Sequence, residues 1–163
     1  MKSTDRVLVG IVLGIVVLVI AALVAVLAAP KPEYLADDSP ENVAHNYLLA
    51  LQNRDYERAY GYLSRLLPGF PASLAKFTAD IEKGRWYFRS GESVTLSVEK
   101  SIVIGKTAIV TIGESRFQGG DLFNSSQRTS VFDMKLRLVN KNWKIEDSPS
   151  YFMPCWKVTG GCK

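Results

Sequence analysis

Apolar and polar positions divide the chain into three regimes. From Val7 to Ala29 every residue is Val, Leu, Ile, Ala or Gly, and no charge interrupts the run. From Ser39 to Lys83 apolar residues recur at helical spacing, and beyond Trp86-Tyr87-Phe88 they alternate with polar ones. These periods predict one long apolar helix, then amphipathic helices, then antiparallel strands.

As a helix the first run is about 34 Å long, slightly more than the roughly 30 Å hydrocarbon core of a bilayer. Sixteen of its residues are Val, Leu or Ile, each favouring insertion by roughly 0.3 to 0.6 kcal/mol near the centre. Lys2 and Arg6 precede the run, whereas Lys31 after it is outweighed by Glu33, Asp37 and Asp38. The positive-inside bias therefore predicts a cytoplasmic N-terminus and an extracytoplasmic remainder. Val26-Leu27-Ala28 resembles a signal-peptidase site, but the run exceeds a 7 to 15 residue signal core and Pro30 follows closely, so an uncleaved anchor is expected. Gly10 and Gly14 form a small-xxx-small pair through which two such helices can approach.

Pro30 to Asp38 reads as a short polar linker that keeps the following domain near the headgroups. Ser39 offers an N-cap hydroxyl, Pro40 suits the first helical position and Glu41 complements the helix dipole. Ala44, Tyr47, Leu48 and Leu51 form the apolar stripe of that helix. Asp55 caps a second, with Tyr56, Ala59, Tyr60 and Leu63 at i, i+3, i+4, i+7. A third is expected from Pro71 to Lys83, stopped by Gly84. Strand pattern then runs through Val94, Leu96 and Val98 to Ile102 and Ile104, and Gly105-Lys106 reverses it into Ala108, Val110 and Ile112. Phe132, Met134, Leu136 and Leu138 face opposite to Asp133, Lys135 and Arg137, and Asn140-Lys141-Asn142 turns the chain into Trp143 and Ile145. The expected organisation is a cytoplasmic tail at 1–6, a transmembrane helix at 7–29, a linker at 30–38, an α+β domain at 39–154 and a C-terminal tail at 155–163. Three helices should cover one face of a curved antiparallel sheet of about four strands.

This arrangement resembles the nuclear transport factor 2-like superfamily, the α+β cone shared with ketosteroid isomerase and SnoaL-type cyclases. The resemblance rests on Leu51-Gln52-Asn53-Arg54-Asp55-Tyr56, on Ala59-Tyr60-x-x-Leu63, and on the hairpin Leu136-Arg137-Leu138-Val139 into Trp143-Lys144-Ile145, and spans Ser39 to Phe152. Membrane-tethered bacterial members of unknown function share this layout. The superfamily contains enzymes, ligand binders and assembly modules, so the resemblance implies a fold and leaves the activity open.

Its enzymes set a carboxylate or His inside the cone, where burial tunes the pKa. Here the inner faces read as almost entirely apolar. Asp133 alternates away from the core, and His45, the only histidine, flanks the first helical stripe, so neither is expected to catalyse. One His and two Cys offer no metal site, and no cofactor motif is present. Tyr47, Tyr60, Phe77, Trp86, Phe132 and Met134 are candidates to line a hydrophobic pocket at the mouth of the cone, with core packing as the plainer explanation. Cys155 and Cys162 are expected to form a disulfide outside the cytoplasm, because Gly160-Gly161 helps so short a loop to close. Asn124-Ser125-Ser126 matches a glycosylation sequon in a polar loop, where chance matches are common.

The formal net charge is +4, and without Met1 to Asp38 it is +5. Lys135, Arg137, Arg128, Lys141 and Lys144 can form a basic face, but no Lys/Arg cluster interleaves with aromatics, so nucleic acid is not an expected partner. The sequence therefore predicts a membrane-anchored, extracytoplasmic binding or assembly module without catalytic activity. Its partners would be the bilayer and a protein or second copy. The alternative is a binder of small hydrophobic ligands, or an isomerase or dehydratase with its site inside the cone.

Overall fold

In the computed structural model, which describes residues 3–27, 32–89, 94–118 and 126–163, the chain separates into two compact units, Met1–Glu33 and Tyr34–Lys163. The first is a single helix, α1, over Ser3–Leu27. Its described side chains run from Leu8 to Val24, and all are exposed. Among the described residues no helix is long and apolar enough to cross a membrane. A carbon added at Gly10 or Gly14 would meet nothing within 4 Å. Residues 1–2 and 28–31, including Lys2 and Lys31, lie outside the described residues, as do Asn124 and Ser125 of the sequon.

The second unit begins with three helices whose starts are set by side-chain caps. In α2 (Pro40–Gln52) the Ser39 hydroxyl accepts from the Asn42 N–H at 3.2 Å, and in α3 (Tyr56–Tyr62) the Asp55 carboxylate accepts from Arg58 N–H at 3.2 Å. Each satisfies a donor that the first helical turn leaves open. The third, α4 (Leu74–Lys83), starts three residues later than Pro71, because the Ser73 hydroxyl caps Lys76 N–H at 3.2 Å. Pro71 serves elsewhere, its carbonyl accepting the Tyr60 hydroxyl at 2.8 Å. One further helical turn, α5 (Arg85–Phe88), was not anticipated; Arg89 ends it in the left-handed region.

Four strands follow as an antiparallel meander: β1 (Val94–Ile104), β2 (Thr107–Gln118), β3 (Ser126–Val139) and β4 (Asn142–Asp147). Gly105 at φ 60° closes the first hairpin, and Asn140 and Lys141 at φ 49° and 66° close the last, the paired positive angles of a two-residue turn. A bulge between Val98 and Lys100 shifts the β1 register, so that Ser101 and not Lys100 continues the inner face opposite Val110.

That face supplies the lower half of the core through Ala108, Val110, Ile112, Met134, Leu136 and Ile145, all fully buried. The helices close it from above with Val43, Tyr47, Leu48, Phe77 and Ile81. Each large aliphatic buried here contributes roughly 1.5 to 3 kcal/mol. At the β4 edge, Leu63 adds a short parallel bridge to Ile145, with Ser64 N–H donating to the Ile145 carbonyl at 2.9 Å.

Both domain ends differ from the boundaries drawn on sequence. Tyr34 to Asp37, read as linker, is held by buried Asn46, whose amide accepts from Leu35 N–H at 2.8 Å and donates to the Leu35 carbonyl and to Asp37 at 2.7 Å each. The stretch from Cys155, read as a tail, forms a 3-10 turn at Pro154–Lys157 and contributes Trp156, which is 0% exposed. An isolated aromatic among Pro, Lys and Gly has no periodic neighbours to mark it as core.

Candidate functional site

Tyr47, Phe77 and Met134, three of the six pocket candidates, are fully buried, and their surroundings are filled. The Trp156 indole occupies the centre, stacked on Phe77 at 5.2 Å between centroids, edge-on to Phe152 at 5.0 Å and tilted against Phe88 at 6.0 Å. The Tyr47 hydroxyl donates to the Tyr151 carbonyl at 2.6 Å, and burial holds its pKa well above the usual tyrosine range. Phe132 is half-buried and stacks on Tyr151 at 5.8 Å. Trp86 does not join this group: α5 turns it outward, leaving it 84% exposed. Among the described residues, the stretch from Tyr151 to Trp156 thus packs directly on Tyr47, Phe77 and Phe132.

Among the described residues two acidic groups sit in this interior, both fixed by partners. Asp80 is 1% exposed, accepts from Trp156 Nε1 at 2.9 Å and pairs with Lys76 at 2.7 Å. Glu114 is fully buried on β2 and ion-paired with Arg89 at 3.2 Å and with Arg116. Both carboxylates are thus engaged by cations and, at Asp80, by the indole N–H as well. Glu114 continues the alternation Ala108, Val110, Ile112 onto the same face of β2.

Asp133 lies on the outer face and accepts from Thr111 at 2.7 Å, and His45 is half-buried on α2. Among the described residues no group of three or more His, Cys, Asp or Glu is placed to hold a metal ion. Cys155 and Cys162 form a disulfide with a Cα separation of 5.1 Å. Gly69 lies beneath that loop and donates its N–H to the Trp156 carbonyl at 2.9 Å. A side chain at 69 would run into the backbone of Cys155, Val158 and Gly161.

An open concavity lies instead between α3 and the β3–β4 turn. It encloses about 430 Å³ and is walled by Tyr60, Leu63, Leu66 and Phe70, with Arg65 and Lys144 at its polar side. Tyr60 and Phe70 tilt against each other at 5.2 Å, and because the Tyr60 hydroxyl is committed to Pro71 the groove sees its ring. Of the proposed basic face only Lys144 reaches this place, anchored to the Gly61 carbonyl at 2.6 Å. Partial burial lowers its pKa; nearby Asp37 acts the other way and Arg65 adds to the lowering. Arg137 turns instead to Glu146 at 2.5 Å, while Arg128, Lys135 and Lys141 are exposed. No sequence motif announces the groove, because Arg65 and Lys144 are brought together only by the bridge from Leu63 to Ile145.

No family model and no curated protein matches the sequence. Among solved structures, a SEC-C motif containing protein from Rhodopseudomonas palustris superposes with a TM-score of 0.50 at 13% identity, over 72% of this chain and 83% of that one. An NTF2-like protein with a cystatin-like fold from Novosphingobium aromaticivorans superposes with a TM-score of 0.46 at 16% identity, over 66% and 75%. At these identities the likeness is one of fold.

Proposed function

We propose that the chain is a membrane-tethered, non-catalytic binding module of the nuclear transport factor 2-like kind, with its α+β domain outside the cytoplasm. The observation that carries the non-catalytic reading is the chain's own C-terminal segment, which fills the interior between helices and sheet. Among the described residues, the two buried carboxylates there form ion pairs with Lys76, Arg89 and Arg116. An isomerase or dehydratase site inside the cone is the weaker reading, since Tyr47, Phe77 and Met134 pack against protein.

Anchoring is supported by the sequence: the run from Val7 to Ala29 carries no charge and as a helix would be about 34 Å long. An exterior location is supported by the basic residues before the run and by the Cys155–Cys162 disulfide, which an oxidising compartment maintains. Recognition is assigned to the α3/β4 groove, whose rim residue Leu66 is 63% exposed.

The test uses the full-length chain in its own membrane. Alkaline extraction should leave it in the pellet, and protease added outside intact cells should remove the domain. A photoreactive residue at position 66 should give a discrete crosslinked product that one at position 133, on the outer sheet face, does not. Release by alkali would refute the anchor, and identical crosslinking from both positions would refute the groove.

A further inference from the structure

The groove between α3 and the β3–β4 turn joins an apolar wall to two cations, a combination that selects a particular ligand chemistry. Tyr60, Phe70, Leu63 and Leu66 supply the wall, and no acidic residue is among those that line it. Arg65 is exposed and makes no hydrogen bond or ion pair among the described residues, so its fork of donors faces open space. Lys144 uses one ammonium proton on the Gly61 carbonyl at 2.6 Å and keeps two more to offer. Asp37, which bears on Lys144 electrostatically, is engaged by Asn46 and Tyr62 at 2.7 and 2.9 Å.

The volume limits what fits. The concavity of about 430 Å³ lies within the roughly 300 to 1,000 Å³ of small-molecule sites. Arg65 favours an oxyanion that accepts two parallel hydrogen bonds, and the Tyr60 and Phe70 rings favour a flat or aliphatic body beside it.

We propose that this groove binds a small soluble organic anion: a carboxylate or phosphate monoester carried on an apolar body, the oxyanion held by Arg65 and Lys144 and the body against Tyr60 and Phe70. The proposal rests on the binding-module reading and adds the class of ligand. It leaves the cone interior uninvolved.

The test is made on the full chain in nanodiscs of zwitterionic lipid, with 1-naphthoate as probe and 1-naphthamide as its uncharged counterpart. Naphthoate should bind saturably and at least tenfold more tightly than the amide. Arg65→Gln should weaken naphthoate about tenfold and leave the amide unchanged, with the circular dichroism and melting curve of the wild type. Lys135→Gln removes the same charge from the outer sheet face and should leave both affinities within twofold, separating a local contact from net charge.

Equal binding of acid and amide, or an Arg65→Gln affinity within twofold of wild type, would overturn the proposal. So would suppression of naphthoate binding by anionic lipid in the disc as complete as that by free naphthyl phosphate, because the groove would then be taking a headgroup. If naphthoate fails while the crosslink from position 66 persists, the ligand class falls and the binding module stands. If naphthoate binds as described and no crosslink forms, the ligand class stands and the protein-partner reading falls.

Discussion

Replacing Trp156 with Phe removes one hydrogen bond and little else, and so measures what the C-terminal segment is worth to the fold. The indole N–H donates to Asp80 Oδ2 at 2.9 Å inside a site where the carboxylate is 1% exposed. A hydrogen bond to a charged group contributes about 1.5 to 3 kcal/mol, and a buried acceptor deprived of its donor keeps the full desolvation cost. Lys76 remains on the other oxygen at 2.7 Å, which limits the loss. Adding about 1 kcal/mol for the space left by the missing ring atoms, the expected destabilisation is about 2.5 to 4 kcal/mol. Urea unfolding of the full chain followed by circular dichroism reads this directly. The partner substitution Asp80→Asn closes a double-mutant cycle in which Trp156→Phe should cost at least about 1 kcal/mol less than in the wild type. A cost below about 1 kcal/mol for Trp156→Phe, or additive effects of the two changes, would refute the account of Trp156 as a hydrogen-bonded keystone.

Reducing the Cys155–Cys162 bond should lower stability by about 2.5 kcal/mol on the chain-entropy estimate for so short a loop, measured as the shift in urea midpoint with and without dithiothreitol. Trp86→Ala, at 84% exposure, should change the unfolding free energy by no more than about 0.5 kcal/mol, which the same titration checks. Burial raises the Tyr47 hydroxyl above its ordinary value of 10.0, so above pH 10 the unfolded chain gives up a proton that the folded chain keeps. Stability should therefore fall with rising pH in that range, and Tyr47→Phe should abolish a loss of about 1.4 kcal/mol accumulated between pH 9 and 11, read from melts across that range.

What could be read from the sequence was whatever is encoded by near neighbours. Ser39 and Asp55 announce their helices because a capping side chain needs only the N–H groups two or three residues on. Asn140-Lys141 announces its hairpin for the same reason, and the alternation from Phe132 to Leu138 settles which face of β3 is buried. The third helix was started too early because Pro71 suits a first turn as well as Ser73 suits a cap, and only the tertiary contact to Tyr60 decides between them. Trp86 is a pocket candidate on aromatic character alone, which says nothing of direction when a single turn of helix aims the ring outward. Glu114 was legible in principle: its position continues an apolar alternation, and a carboxylate there requires cations, which Arg116 and Arg89 supply. The groove was not legible at all, since Arg65 and Lys144 stand far apart in the chain and meet only through sheet-edge pairing.

Because Trp156 completes the core and Gly69 is clasped beneath the Cys155–Cys162 loop, the order in which the molecule is made matters. A nascent chain released as far as β4 has its helices and strands but lacks the ring they close around. The packed core of the domain includes the stretch after β4, because Trp156 is fully buried against Phe77, Phe88 and Phe152. A chain lacking that stretch would leave Phe77 and Phe88, which pack on the Trp156 ring, open to solvent.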